Sequence, residues 1–140
     1  MRTDLLVNDF VYKTITEGCL VLFQSKFKRN YIHVRDIAET FLFCIKNYDK
    51  LNGQVFNVGL SDANLNKMEL AKKIKTYYPN LVIIENEFST DIDNRNYIVS
   101  NDKLESYGWK PKYSIDDGIQ ELISAYQMVI ADNNKKYTNL

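Results

Sequence analysis

The residues best suited to chemistry lie at positions 29–39, in the run RNYIHVRDIAE. Arg29 comes just before a short apolar stretch, residues 31–34, that predicts a strand, and Asp36 then predicts the cap of a helix. A guanidinium at the mouth of a strand, beside the start of a helix, suits an anionic ligand. Taken alone, the same arginine is more typical of a surface residue that pairs with a nearby carboxylate.

Two further polar side chains accompany short apolar stretches. Asn57 lies within QVFNVGL, and Arg95 lies in DIDNRNYIV at the mouth of another predicted strand. Two arginines with an amide donor between them would suit a diphosphate, because guanidinium groups hold phosphate oxygens in bidentate fashion. Local patterns do not show whether the three side chains converge in space.

Composition predicts one globular domain without a strong electrostatic field. The chain has 140 residues, of which 45% are hydrophobic and 26% charged, and Lys+Arg and Asp+Glu number 18 each. A net charge of zero gives no general attraction for nucleic acid or an anionic membrane. The only cysteines, Cys19 and Cys44, are expected to be buried free thiols in a reducing, cytoplasmic setting. With the single His33 they are too few for a familiar metal site, and no apolar run has the length of a membrane span.

Periodicity and turn residues predict a mixed α/β fold with short strands. The predicted strands are residues 19–23, 31–34, 54–58, 81–84 and 97–99. Predicted helices begin near Thr3 or Asp4 and near Asp36, Asn66, Asn101 and Ser114, and Asn66 with Glu69 forms an Asn version of the capping box. The second helix is expected to bury Ile37, Phe41, Leu42 and Ile45. We expect one domain over residues 1–130 and a disordered tail over 131–140.

The motifs of several catalytic classes are absent from the sequence. The five glycines form no Gly-rich pyrophosphate loop, and no tyrosine is followed by a lysine four positions later. There is also no nucleophile elbow and no P-loop. No catalytic residue and no metal ligand is assigned, so whether the chain is an enzyme is left open.

The order of segments resembles the C-terminal part of the NAD(P)-dependent nucleotide-sugar epimerases and dehydratases, which are extended short-chain dehydrogenase/reductases. The matching segments are TDLLVNDFVYKTITEG, LVLF, RNYIHVRDIAE, GQVFNVG and NRNYIVSNDKLESYGWKPKYSIDDGIQELI. The resemblance implies a small mixed α/β substrate-binding domain that lacks the Rossmann core. In the intact family that core binds NAD(P) and carries a Tyr-x-x-x-Lys pair, so no cofactor is expected to bind this chain alone.

The resemblance also implies a set of substrate-binding residues. Arg29 and Arg95 look like the two phosphate-binding arginines, and Asn57 matches the asparagine of the family's FNVG-type strand. The remaining matches are expected to touch the substrate or line the nucleobase pocket: Asp4, Leu5, Leu20, Phe23 and Tyr31. Asp36 is expected to be a structural helix cap, and Ser100 is given no role.

Two hypotheses of different classes follow. In the first, the chain is the substrate-binding portion of such an enzyme, holds the nucleotide diphosphate of a sugar substrate and lacks turnover by itself. It would then be a split gene product, an expressed fragment or a remnant. In the second, the chain is a non-catalytic interaction module whose Rossmann-facing surface is covered by another chain or by self-association.

Overall fold

A computed structural model describes residues 4–86 and 96–137 of the chain. The elements follow in the order α1 (Leu6–Thr16), β1 (Cys19–Phe23), β2 (Lys28–Asn30), α2 (Val34–Lys46), α3 (Tyr48–Leu51), β3 (Asn64–Asn66), α4 (Lys67–Tyr77), β4 (Val82–Asn86), α5 (Asp102–Glu105) and α6 (Ile115–Tyr137). The mixed α/β class with short strands is confirmed.

The strands form two separate pairs. β1 and β4 are parallel, with Cys19 opposite Val82 and Phe23 opposite Asn86. β2 and β3 are antiparallel, with Arg29 opposite Leu65. Within the described residues no wider sheet is present, so the fold depends on helices packed around two short strand pairs.

The core lies between three helices and the parallel strand pair. Its buried side chains come from α1, β1, α4 and α6 and from the residue before β4, namely Phe10, Val11, Leu20, Leu22, Leu70, Ala71, Ile74, Leu81, Ile119 and Tyr126. Tyr12 and Tyr126 meet edge to face with ring centroids 5.2 Å apart, which joins α1 to α6. Burial of these apolar surfaces is the main favourable contribution to stability.

The predicted caps at Asn66 and Ser114 are confirmed, whereas α1 has Leu5 as its N-cap, with no side-chain cap hydrogen bond, in place of the predicted Thr3 or Asp4. The Asn66 side chain accepts a hydrogen bond from the Glu69 backbone N–H at 2.8 Å, and the Glu69 carboxylate accepts one from the Asn66 N–H at 2.8 Å. At the start of α6 the Ser114 hydroxyl accepts from the Asp117 N–H at 3.1 Å. Hydrogen bonds from Ser114 lower the pKa of Asp117. Each of these contacts lies within three residues along the chain, so local sequence was sufficient to predict them.

Three predicted strands are wrong. Strand β2 covers Lys28–Asn30 rather than residues 31–34, and Val34 already opens α2. Residues 54–58 and 97–99 are not strands. A strand needs a hydrogen-bonded neighbouring strand, and residues 54–58 have none within the described chain. Val55, in the middle of this stretch, is accordingly 84% exposed. Tyr97 has one ladder-like contact, in which its N–H donates to the Lys28 carbonyl at 3.3 Å.

The predicted buried face of α2 is also wrong. Phe41 is 68% exposed and Ile45 70% exposed, and Leu42 is exposed as well. The buried residues of α2 are polar, Asp36 and Thr40. The N-cap is His33, whose side chain accepts from the Arg35 N–H at 3.1 Å, so Asp36 does not cap the helix.

Asp36 is structural, but through a different contact from the helix cap that was expected. Its carboxylate accepts hydrogen bonds from the backbone N–H groups of Lys112 at 2.9 Å and Tyr113 at 3.1 Å. His33 stacks on Tyr113 with ring centroids 4.7 Å apart, and Arg35 donates to Glu121 at 2.8 Å. These contacts attach the start of α2 to the start of α6 and leave its apolar face outward.

Helix α6 continues to Tyr137, past the position at which the tail was predicted to begin, and residues 138–140 lie outside the described part of the chain. The division into one domain and a tail stays a prediction.

Cys19 and Cys44 are free and half-buried. Among the described helices, none combines the length and apolar character needed to cross a membrane. In the described part of the chain, no group of three or more His, Cys, Asp and Glu side chains could hold a metal ion.

Candidate functional site

Arg29 lies in the middle of β2, and its guanidinium turns back along the strand. Its Nη1 donates to the Lys28 carbonyl at 2.9 Å. The guanidinium carbon lies 5.1 Å from the centroid of the Tyr97 ring, within the range of a cation–π contact. Arg29 as a whole is half-buried.

A segment made of residues 96–100, here called the 96–100 segment, runs beside β2 and completes this region. The Asn96 side-chain oxygen accepts from the Lys28 N–H at 2.9 Å. The Asn64 side chain forms two hydrogen bonds with the Val99 backbone. Its Oδ1 accepts from the Val99 N–H at 2.9 Å, and its Nδ2 donates to the Val99 carbonyl at 3.0 Å. Asn57 donates from Nδ2 to the Ser100 carbonyl at 3.2 Å. Arg29 and Asn57, although 28 positions apart, therefore contact the same five-residue segment.

The Asn57 contact shows that one amide hydrogen already has a protein partner. Asn57 is exposed, and its side chain has a second N–H and a carbonyl oxygen that are able to bind another group. Arg95, the second predicted arginine, lies outside the described residues, so its convergence with Arg29 stays a prediction.

Gly59 brings the chain that carries Asn57 against β2. A Cβ atom built on Gly59 would lie 1.7 Å from the Asn30 side-chain oxygen, much closer than atoms can approach. The Asn30 amide also donates to the Leu60 carbonyl at 2.7 Å. A glycine after the FNV run is therefore required by close approach, and any side chain there would push residues 57–60 away from β2.

Tyr31 lies directly behind this surface. Its hydroxyl oxygen is buried and has no hydrogen-bond partner within the described residues. Desolvation raises the pKa of Tyr31 to about 12, although the positive charge of Arg29 acts in the opposite direction. The phenol is thus protonated at neutral pH and retains a hydrogen-bond donor that the described protein does not use.

The other predicted site residues lie at the edges of this region or outside it. Asp4 and Leu5 are exposed at the start of α1, where the Leu5 carbonyl accepts from the Asp9 N–H at 2.8 Å. Phe23 is half-buried at the end of β1, and its carbonyl accepts from Lys67 Nζ at 2.8 Å. Leu20 needs correction: it is only 1% exposed and packs in the core, so its side chain cannot line an open pocket.

An open groove of about 460 Å³ beside Arg29 was not predicted. It is lined by Lys26, Lys28, Asn96, Tyr97 and Ile98. The signal available in the sequence was the basic, polar turn over residues 24–30. From that turn the sequence could have predicted Lys26 and Lys28 as candidate site residues. That they line one groove with residues 96–98 depends on the tertiary structure.

Comparison with known proteins gives matches in both sequence and structure, although no protein-family model matches the chain. The chain is 26% identical over 129 residues to UDP-D-apiose/UDP-D-xylose synthase 2 of Arabidopsis thaliana, which is 80% of this chain and 32% of that protein. It is 28% identical over 102 residues to CDP-paratose 2-epimerase of Salmonella typhi, which is 67% of this chain and 28% of that protein.

The fold also matches solved structures. The UDP-glucose 4-epimerase of Thermotoga maritima, solved with UDP-glucose, aligns with a TM-score of 0.75 and 21% identity over 90% of this chain and 40% of the epimerase. The chain thus spans about a third of the length of the curated relatives and about 40% of the length of the solved neighbour.

Proposed function

We propose that this chain, which is related in sequence and fold to the NAD-dependent nucleotide-sugar epimerases and dehydratases, holds the nucleotide diphosphate of a nucleotide-sugar substrate. The observation that carries the proposal is the meeting of Arg29 and Asn57 on the 96–100 segment. A half-buried arginine beside an exposed asparagine has the charge and the donors that bind phosphate oxygens.

Each predicted residue has a proposed role in this site. Arg29 would pair with one phosphate, Arg95 with the other, and Asn57 would donate its remaining amide hydrogen to a phosphate oxygen. Tyr31 and Phe23 would flank the nucleobase pocket, and Asp4 and Leu5 would meet the substrate at the exposed start of α1. Leu20 is left out because it lies in the core.

The chemical step of the related enzymes needs parts that this sequence does not contain. Bound NAD(P) would accept and return a hydride, but no Gly-rich loop is present to hold its pyrophosphate. No Tyr-x-x-x-Lys pair is present to take a hydroxyl proton. We therefore propose that this chain binds the substrate in the cytoplasm and does not turn it over or bind NAD(P) alone.

Calorimetric titration with UDP, CDP and dTDP tests the binding proposal directly. We expect at least one of these to bind, and Arg29→Ala to weaken binding by about 2–5 kcal/mol, because it removes one partner of a charge pair. Arg35→Ala is the matched control, since Arg35 is exposed and pairs with Glu121. An Arg29→Ala variant with unchanged affinity, or wild-type protein that binds none of the three at millimolar concentration, would contradict the proposal.

A second candidate function, an interaction module, is favoured by the α2 face, defined as Val34, Phe41, Leu42 and Ile45 of α2 together with Tyr48 at the start of α3. All five side chains are at least half exposed. A contiguous apolar surface on a helix is typical of a site that another protein covers. The covering surface would be a Rossmann-bearing chain or a second copy of this chain.

Sedimentation velocity of the wild type and of a Phe41→Glu, Ile45→Glu double variant tests self-association through the α2 face. Two buried carboxylates in an apolar interface are costly, so the variant should be monomeric where the wild type associates. A Lys46→Glu, Lys50→Glu variant is the control, because it also adds acidic side chains at exposed positions near the end of the helix. If the wild type is monomeric at all concentrations, self-association is wrong and a separate partner chain is required.

A further inference from the structure

His33, the single histidine of the chain, lies where the start of α2 meets the start of α6. Its ring stacks on Tyr113, and its Cδ2 lies 3.5 Å from the place that a Cβ atom on Gly118 would take. The side chain is only 11% exposed. The imidazole is therefore held between the start of α2 and the first turn of α6.

The two ring nitrogens of His33 have different partners. Nδ1 accepts from the Arg35 backbone N–H at 3.1 Å, and this contact makes His33 the N-cap of α2. An imidazole nitrogen accepts a hydrogen bond only when it carries no proton. Nε2 lies 3.1 Å from Oε2 of Glu121, and an ionised carboxylate only accepts, so Nε2 carries the ring proton. The contacts thus select the neutral tautomer that is protonated at Nε2.

Glu121 determines where a second proton must bind. Its Oε1 accepts from Arg35 Nη2 at 2.8 Å while its Oε2 faces Nε2 of His33, so the carboxylate is held against the ring. Because Nε2 is already protonated, the proton that converts the imidazole to its cation binds at Nδ1. A proton on Nδ1 points at the Arg35 N–H, and the cap hydrogen bond is lost.

Charged groups of the described residues act on this proton in both directions. The carboxylates of Glu121 and Asp117, both on α6, favour the cation. Hydrogen bonds from Ser114 are the main cause of the lowered pKa of Asp117, and the charge of His33 adds to them. The Arg35 guanidinium, which shares Glu121 with the ring, and the positive ends of α2 and α6 disfavour the cation.

A histidine cap differs from the usual helix caps in that it titrates. Asn, Ser and Asp keep an acceptor oxygen at neutral and mildly acidic pH, whereas histidine changes its charge in that range. The Arg35 N–H lies in the first turn of α2, where no backbone carbonyl of the helix is available to it. Loss of Nδ1 as an acceptor therefore leaves this N–H to solvent.

We propose that His33 is a pH-sensitive latch, in which protonation of Nδ1 releases the N-cap of α2 while Glu121 keeps its hold on the ring. In the cationic form the first turn of α2 is uncapped, and α2 with its apolar face is attached to α6 less firmly. Asp36, which accepts from the backbone N–H groups of Lys112 and Tyr113, maintains the attachment in both forms. The latch is independent of nucleotide binding.

Nuclear magnetic resonance of the isotopically labelled chain tests the latch, because one histidine gives one set of imidazole signals. The nitrogen shifts of the neutral ring should show the proton on Nε2. As the pH falls from about 8 to about 5.5, the Arg35 amide should lose about fivefold or more of its protection against hydrogen exchange, relative to the intrinsic rate at each pH. The midpoint of that loss should coincide with the midpoint of the ring titration.

His33→Asn is the matched control, because its side-chain oxygen caps the helix without titrating. In a variant that circular dichroism shows to be folded, the protection of the Arg35 amide should stay constant over the same pH range. A loss as large as in the wild type would overturn the latch, since another group would then cause it. A neutral ring protonated at Nδ1, or a ring that titrates without loss of Arg35 protection, would also overturn it. These two wild-type results decide the question even if the variant does not fold.

Discussion

The carboxylate of Asp36 joins two parts of the chain that are more than 75 positions apart. It is 1% exposed and accepts from the N–H groups of Lys112 and Tyr113. Both donors belong to the turn before α6, so the residue fixes where α2 starts relative to the last helix. Its importance is structural, and the proposed substrate-binding residue Arg29 lies on the preceding strand β2.

Replacing Asp36 by Ala should destabilise the chain by about 2–3 kcal/mol, because two backbone donors would lose a charged acceptor in a buried place. Asp36→Asn keeps one acceptor oxygen and should cost less. Urea unfolding followed by the fluorescence of buried Trp109 measures both values. An Ala variant as stable as the wild type would show that water satisfies the two N–H groups.

Tyr31 makes a prediction about pH. Burial raises its pKa to about 12 from 10.0, so between those values the unfolded chain loses a proton that the folded chain retains. The contribution of Tyr31 is fully present below pH 10, and the free energy of unfolding falls as the pH rises from 10 towards 12. Tyr31→Phe should remove this part of the alkaline loss, and at pH 8 it should change stability by less than about 1 kcal/mol, because no described partner is lost.

Urea unfolding of wild type and Tyr31→Phe at pH 8 and pH 11 measures the difference. Tyr126, whose pKa is also raised, provides the comparison, since Tyr126→Phe should act in the same direction. If the two proteins lose stability equally between these pH values, Tyr31 is not protected from ionisation in the folded chain.

At the scale of elements, α2 is the clearest departure from sequence-based expectation. Its apolar periodicity predicts burial of Phe41, Leu42 and Ile45, yet the structure buries Asp36 and Thr40. Periodicity identifies which residues share a face, and it does so correctly here. It does not identify what covers that face, since the partner surface need not lie in the same chain.

The same variants that test association also test this interpretation of α2. Phe41→Glu, Ile45→Glu should leave the unfolding free energy of the monomer within about 0.5 kcal/mol, as expected for exposed positions. Ile74→Ala, in the buried face of α4, should cost about 2–5 kcal/mol by comparison.

Strands were predicted less well than helices, and the elements show why. β1 is where its apolar run predicted, because Cys19–Phe23 pairs with β4. Residues 54–58 have an equally good strand pattern but no neighbour in the described chain, so they do not form one. Strand formation depends on a second segment, whereas the capping box of α4 depends only on residues within one turn.

At the scale of the whole molecule, the chain spans about 40% of the solved neighbour and about a third of the curated relatives. Its exposed apolar residues include the α2 face and Val55, which precedes Asn57 in the unpaired 54–58 stretch. These features are consistent with a substrate-holding part that meets another protein surface. They also separate the two proposals, because the proposed nucleotide site is centred on Arg29 while the proposed association uses the α2 face.

The sequence by itself determined the helix starts at Asn66 and Ser114, the β1 strand and the mixed α/β class, and it led to the proposal of Arg29 and Asn57 as site residues. These depend on residue type and on neighbours a few positions away. Only the tertiary structure decided that α2 turns its apolar face outward, that Leu20 lies in the core, and that Lys28 and Arg29 meet residues 96 and 97. Such contacts join residues 68 positions apart at β2 and as many as 86 positions apart at α2, and their energies depend on which distant surfaces meet, which no local pattern encodes.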